Sequence, residues 1–85
     1  MLECIPSDLA KTVSEKLKIP TVGIGAGIDC DGQVLVSYDM LGITEGKQPR
    51  FVRNFLNNQN SISDAVETFV SEVKEGSFPS QSESY

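Results

Sequence analysis

The sequence predicts an α/β fold built on a short parallel sheet, and three observations carry that prediction. Two short apolar strand candidates, around Leu2 and around Val22, flank a stretch with helical periodicity. That is the strand–helix–strand grammar of parallel pairing. A third apolar run, Val34-Leu35-Val36, is continuous rather than alternating, as in a strand covered on both faces. Finally, the chain has 85 residues, 39% of them hydrophobic, which is enough to require a core and marginal for independent stability. Three strands with one full crossover are too few to cover a parallel sheet. The patterning therefore predicts the last part of a larger α/β domain.

Each element has a local reason. Met1–Ile5 reads as a strand end, stopped by Pro6. Pro6-Ser7-Asp8 starts a helix, because Pro suits a first turn and Ser or Asp can accept from free N–H groups. Leu9, Val13 and Leu17 then recur every four residues beside Ala10, which predicts one apolar helical face ending near Lys18. Ile19-Pro20 breaks that helix, and Thr21–Gly25 follows as the second strand. Gly25-Ala26-Gly27 is a tight loop and Asp29–Gly32 a turn. Gln33–Tyr38 is the third strand candidate, followed by a short loop or helical turn at Asp39–Ile43. Pro49 is expected to open a helix carrying Phe51, Val52, Phe55 and Leu56. Ser61–Asp64 has the form of a capping box, ahead of an apolar stripe from Ile62 to Val73 and a C-terminal Gly76. Residues 1–76 form the structured segment. Residues 77–85 read as a Ser-rich, poorly ordered tail.

Composition excludes several functions. Seven Lys+Arg against twelve Asp+Glu leave a net charge of −5, so non-specific nucleic-acid binding is not expected. The absence of His removes Ser-His and Cys-His pairs and imidazole metal ligands. Cys4 and Cys30 do not make a disulfide framework. No apolar run approaches the roughly 18–20 residues of a membrane span, and no signal-peptide pattern is present. A soluble, cytoplasmic protein with free thiols is the expectation.

Few motifs point to chemistry. Gly23-Ile24-Gly25-Ala26-Gly27 follows a strand but does not lead into a helix, as a dinucleotide fingerprint would. Gly25 and Gly27 either supply unusual φ angles and close packing, or let a substrate approach the backbone. Glu3 stands at the carboxyl end of a strand, where active sites of parallel α/β folds gather, and partial desolvation there would suit a general base. The alternative is a strand-end Glu turned to solvent or paired with Lys. Asp29, Asp31 and Asp39 lack metal-ligand spacing and read as turn residues. Lys47, Arg50 and Arg53 read as a solvated helix face or as an anion contact. Phe51, Phe55 and Phe69 read as core, with a face toward a subunit partner as the alternative.

Taken in order and spacing, the blocks Leu2-Glu3-Cys4-Ile5-Pro6, Ile19–Gly27, Asp31–Val36, Leu41-Gly42-Ile43 and Pro49–Phe55 resemble the C-terminal third of the ketopantoate hydroxymethyltransferase family. Glu72-Val73, Gly76 and Phe78-Pro79 are similar to that family's ending, so the resemblance covers residues 1–79. It implies an α/β (β/α)8 TIM barrel of about 250 residues, with this chain as its C-terminal segment of about three strands plus helices. The implied reaction moves a hydroxymethyl group from the co-substrate 5,10-methylenetetrahydrofolate to the 2-oxo acid 3-methyl-2-oxobutanoate, giving 2-dehydropantoate on the way to pantothenate. Mg2+ is the implied cofactor, with its ligands on earlier strands and none in this chain. The resemblance makes Glu3 the proton acceptor and places Gly25 and Gly27 near the substrate. It also implies a cytoplasmic homo-oligomer with no nucleic-acid or membrane partner. Tyr38, where some relatives have His, and the polar Thr44–Lys47 loop depart from the family pattern. The expectation for the 85-residue chain by itself is an inactive fragment. The alternative is a non-enzymatic interaction module derived from a barrel segment.

Overall fold

Three strands, β1 (Leu2–Glu3), β2 (Val22–Ile24) and β3 (Gly32–Gln33), form one parallel sheet in sequence order in the computed structural model, which describes residues 1–85. Leu2 stands opposite Gly23 and Glu3 opposite Ile24; Val22 pairs with Gly32 and Gly23 with Gln33. The fold is therefore α/β with a parallel sheet, as the patterning predicts. The β1–β2 crossover is helix α1 (Ser7–Lys16), which ends as the Leu17 N–H donates to the Val13 carbonyl. Its small residue Ala10 is fully buried, while Leu9 and Leu17 stay about half exposed.

The β2–β3 connection contains no helix. A single carboxylate supports it instead. Asp31 Oδ2 accepts from the Thr21 amide at 2.7 Å and from the Thr21 hydroxyl at 3.1 Å. The buried Thr21 hydroxyl also bonds Ser14 of α1 at 2.7 Å. The chain thus returns to the start of β2 before β3 begins, which is what parallel pairing requires.

Three expectations are corrected. The third strand does not run to Tyr38. The ladder ends after the Val34 amide meets the Gly23 carbonyl at 3.0 Å. The Val36 and Ser37 carbonyls are taken by the Met40 and Leu41 amides, so Ser37–Met40 forms a helical turn, α2, and Val36 and Tyr38 are exposed. The helix expected from Pro49 does not form either. Val52 donates to Pro49 in one turn, but the Phe55 amide donates to the Met40 carbonyl at 2.7 Å, and Asn54 Oδ1 accepts from Leu56. A tertiary acceptor and a local side chain together replace the helical ladder. Phe51 and Phe55 are buried all the same. The tail is the third correction. Phe78 and Pro79 are buried, and Gln81–Glu83 forms a short 3-10 helix with a Ser80–Glu83 capping box.

Helix α3 (Ile62–Glu75) starts at Ser61 and ends at Gly76 as predicted, but only the Ser61 half of the capping box forms. The Ser61 hydroxyl accepts from the Asp64 amide, and Gly76 takes a left-handed conformation at φ 78°. Its Ala65 is fully buried, and Phe69 and Val73 pack against the core. Ile62, Val66 and Val70, one residue round the helix, remain exposed. The core is centred on Phe55, Phe69 and Phe78, whose rings meet edge-to-face with centroids 5.1–5.8 Å apart. The exposed surface is 5578 Å2, against about 4,900 Å2 for a typical folded chain of 9.2 kDa. No helix is long and apolar enough to cross a membrane.

Candidate functional site

The carboxyl ends of the strands gather the residues singled out in the sequence. Glu3 is the last residue of β1. The Cys4 amide still bonds the Ile24 carbonyl at 2.9 Å, but Cys4 itself has φ 51°, in the left-handed region. That conformation takes the chain off the sheet and through Pro6 into α1 within three residues. A non-glycine residue held there is locally strained and needs surrounding contacts to persist. The Glu3 side chain is exposed and makes no hydrogen bond or ion pair, so in this chain it is turned to solvent, the alternative to a desolvated base, and is not paired with Lys.

Gly25 and Gly27 come to the same end of the sheet. Gly25 has φ 64°, and a Cβ there would lie 2.8 Å from Phe51 Cδ1 and 3.3 Å from the Cys4 sulfur. Gly27 has φ 85°, and its Cβ would overlap the Ser7 side chain. The Gln33 amide nitrogen holds the Gly27 carbonyl at 2.8 Å. Backbone conformation and close packing alone thus require glycine at both positions. At the strand ends, then, Gly25 packs against Phe51 and Cys4 and Gly27 packs against Ser7, with Glu3 standing at the end of β1.

The three aspartates do other things. Asp31 is spent on Thr21, Asp39 Oδ1 accepts from the Thr44 hydroxyl at 2.7 Å, and Asp29 is exposed in its turn. No three His, Cys, Asp or Glu side chains come together in a way that could hold a metal ion. The residues of this chain by themselves therefore do not fit a magnesium site.

One charged cluster went unread in the sequence. Arg53 is not on a solvated helix face. Its guanidinium meets Glu83 through two parallel bonds of 2.9 and 2.7 Å and Glu72 at 2.6 Å. It lies over the Phe55 and Phe78 rings, 5.1 and 4.9 Å from their centroids. The Glu83 bond holds the Arg53 guanidinium above its ordinary pKa, against the effect of desolvation. For Glu83, burial alone would push the carboxyl up, but the bonds from Arg53 and Ser80 outweigh it and hold it below its ordinary value. The signal was Ser80-Gln81-Ser82-Glu83, a Ser-x-x-Glu capping pattern inside a stretch that composition marks as loose.

Comparison with known proteins places this arrangement. The family described as ketopantoate hydroxymethyltransferase matches residues 1–81. The 3-methyl-2-oxobutanoate hydroxymethyltransferase of Ruthia magnifica subsp. Calyptogena magnifica is 59% identical over all 85 residues, which cover 33% of that protein. Proteins of the same name from Neisseria meningitidis serogroup A and Paraburkholderia phytofirmans are 57% and 60% identical over 79 residues, 93% of this chain and 30% and 29% of theirs. The chain spans about a third of the length of the curated relatives it matches. A match over nearly its whole length, across strand ends, glycine loop and terminal helix alike, means that the chain belongs to the ketopantoate hydroxymethyltransferase family.

Proposed function

We propose that residues 1–76 supply the C-terminal part of a (β/α)8 barrel that transfers a hydroxymethyl group from 5,10-methylenetetrahydrofolate to 3-methyl-2-oxobutanoate, and that Glu3 is its proton acceptor. The observation that carries this reading is Glu3 itself, a carboxylate at the carboxyl end of a parallel strand in a chain of this family. In the proposed step the C3–H bond of the 2-oxo acid breaks, and its proton goes to the Glu3 carboxylate. The electron pair left behind forms the enolate, whose C3 bonds the methylene carbon of the folate. That carbon's bonds to the two folate nitrogens break, water supplies the hydroxyl oxygen and the protons the nitrogens take up, and tetrahydrofolate leaves. Glu3 suits the role because nothing else in the chain occupies its oxygens. Gly25 and Gly27 contribute a side-chain-free backbone at the same end of the sheet. Magnesium, by family the group that acidifies C3–H, has no site among these residues, so the 85-residue chain by itself has no transferase activity in this reading.

The test has two parts. Exchange of the C3 proton of 3-methyl-2-oxobutanoate into D2O is followed by proton NMR. The 85-residue chain with magnesium is expected to give none. A chimaera joining this chain to the N-terminal two-thirds of the Ruthia magnifica relative is expected to exchange it, and Glu3→Gln in the chimaera to slow exchange by about 100-fold or more. A Glu3→Gln chimaera that exchanges at the parent rate refutes the role of Glu3. The second reading, an interaction module, is favoured by the uncovered Ile62, Val66 and Val70 row. A chain that is monodisperse and melts cooperatively, while the chimaera stays inactive, would support it.

A further inference from the structure

Residues 80–85 cross the molecule on polar contacts. Phe78 and Pro79 anchor the segment in the core. Beyond them Gln81, Ser82 and Tyr85 are exposed, and three successive tethers hold the chain. Glu83 is clasped by Arg53 and by the Ser80 amide and hydroxyl, each of the Ser80 bonds being 2.9 Å. The Ser84 carbonyl accepts from Arg50 at 3.2 Å, and the same guanidinium lies 4.8 Å over the Tyr85 ring. The Tyr85 carbonyl then accepts from both the amide and the hydroxyl of Ser7, each at 3.1 Å. Ser7 opens α1 directly after the Cys4–Pro6 turn and packs against Gly27.

We propose that Ser80–Tyr85 is a latched strap, in which the Arg53–Glu83 clasp seats Tyr85 on Ser7 and so holds the β1–α1 turn in place. The coupling is entropic. With Glu83 clasped, only Ser84 and Tyr85 must be ordered to reach Ser7. With Glu83 free, the whole span from Ser80 must be, and the effective concentration of the Tyr85 carbonyl at Ser7 falls. The strap carries little buried apolar surface past Pro79, so it opens without disturbing the phenylalanine core. Its three tethered residues also lie beyond residue 81, where the family match ends. The strap acts on conformation and does not depend on the chemistry assigned to Glu3.

The Ser7 amide reports the latch directly. The first amides of a helix have no partner within it, so protection at Ser7 comes from Tyr85 alone. Amide exchange is measured by 15N–1H NMR on the full chain, on Glu83→Gln, and on a chain shortened by Ser84 and Tyr85. Ser7 exchange is expected to rise about tenfold in both variants, with the Phe69 amide of α3 unchanged. The shortened chain keeps the Arg53–Glu83 clasp, so it separates loss of the seat from loss of the latch. Where Glu83→Gln does not fold, Glu83→Asp, which keeps the charge and shortens the reach, is held to the same criterion. The proposal is overturned by a Ser7 amide that is unprotected in the parent chain. It is also overturned if that protection survives the Glu83 variant, or if Phe69 and Ser7 are deprotected together.

Discussion

Gly27 and Gly46 separate two demands on a glycine. Both have positive φ, 85° and 87°, but a Cβ at Gly27 would meet Ser7 and one at Gly46 would meet nothing within 4 Å. Gly46→Ala is expected to cost about 1 kcal/mol, the left-handed penalty alone. Gly27→Ala is expected to cost about 3 kcal/mol, because the loop must also move off α1. Thermal melts of the two variants check the difference. Glu83 carries a pH dependence of definite sign. Its folded carboxyl sits below the ordinary value of 4.5, so the clasp contributes fully above about pH 4.5 and is lost as the pH falls through the folded value. Arg53 stays charged throughout. Tyrosine fluorescence of a Tyr38→Phe chain, which reports Tyr85 alone, is expected to be flat from pH 7 to 5 and to change below that. A change centred near neutral pH would rule out Glu83 as the group responsible.

At the scale of elements, caps decide one helix and a competing acceptor removes another. Ser61 and Gly76 bound α3 by local geometry. The segment from Pro49 has apolar residues at helical spacing, yet the Phe55 amide finds Met40 instead. The β2–β3 link rests on Asp31 in the same way. Asp31→Ala would leave the buried Thr21 amide and hydroxyl without their carboxylate, at a cost of about 2 kcal/mol. Urea unfolding should show a lower midpoint with an unchanged slope. Phe78, only 3% exposed and in contact with both other core rings, is expected to cost about 3 kcal/mol or more when cut to Ala. In a chain of this size that approaches the whole stability.

Across the whole molecule, apolar surface is left uncovered. Ile62, Val66 and Val70 on α3, Leu9 and Leu17 on α1, and Val36 and Tyr38 past β3 are all exposed. Both outer strands also have free edges, since the sheet ends at β1 and β3. The 85-residue chain is therefore expected to self-associate, with sedimentation velocity showing a weight-average mass that rises with concentration. Val66→Lys should reduce that association without lowering the melting temperature by more than a degree or two, because Val66 is outside the core. Association unchanged by Val66→Lys would assign it to the sheet edges instead.

Local chemistry by itself determined the strand–helix–strand start, the Gly25–Gly27 loop, both caps of α3 and the family of the chain. The structural elements rest on near neighbours in sequence: Pro6 before a four-residue repeat, Ser61 three before Asp64, Gly76 after the last apolar turn; the family rests on the order and spacing of blocks along the chain. Tertiary structure alone decided that Pro49–Leu56 is not a helix and that the tail folds back. In those places a backbone amide or a side chain finds its partner far along the chain, as Phe55 does in Met40, Glu83 in Arg53 and Tyr85 in Ser7. It also decided the immediate role of Gly25 and Gly27, which meet Phe51 and Ser7 only when the strand ends are assembled. Periodicity records which face a residue prefers, whereas a hydrogen bond across many residues depends on positions in space that no local window contains.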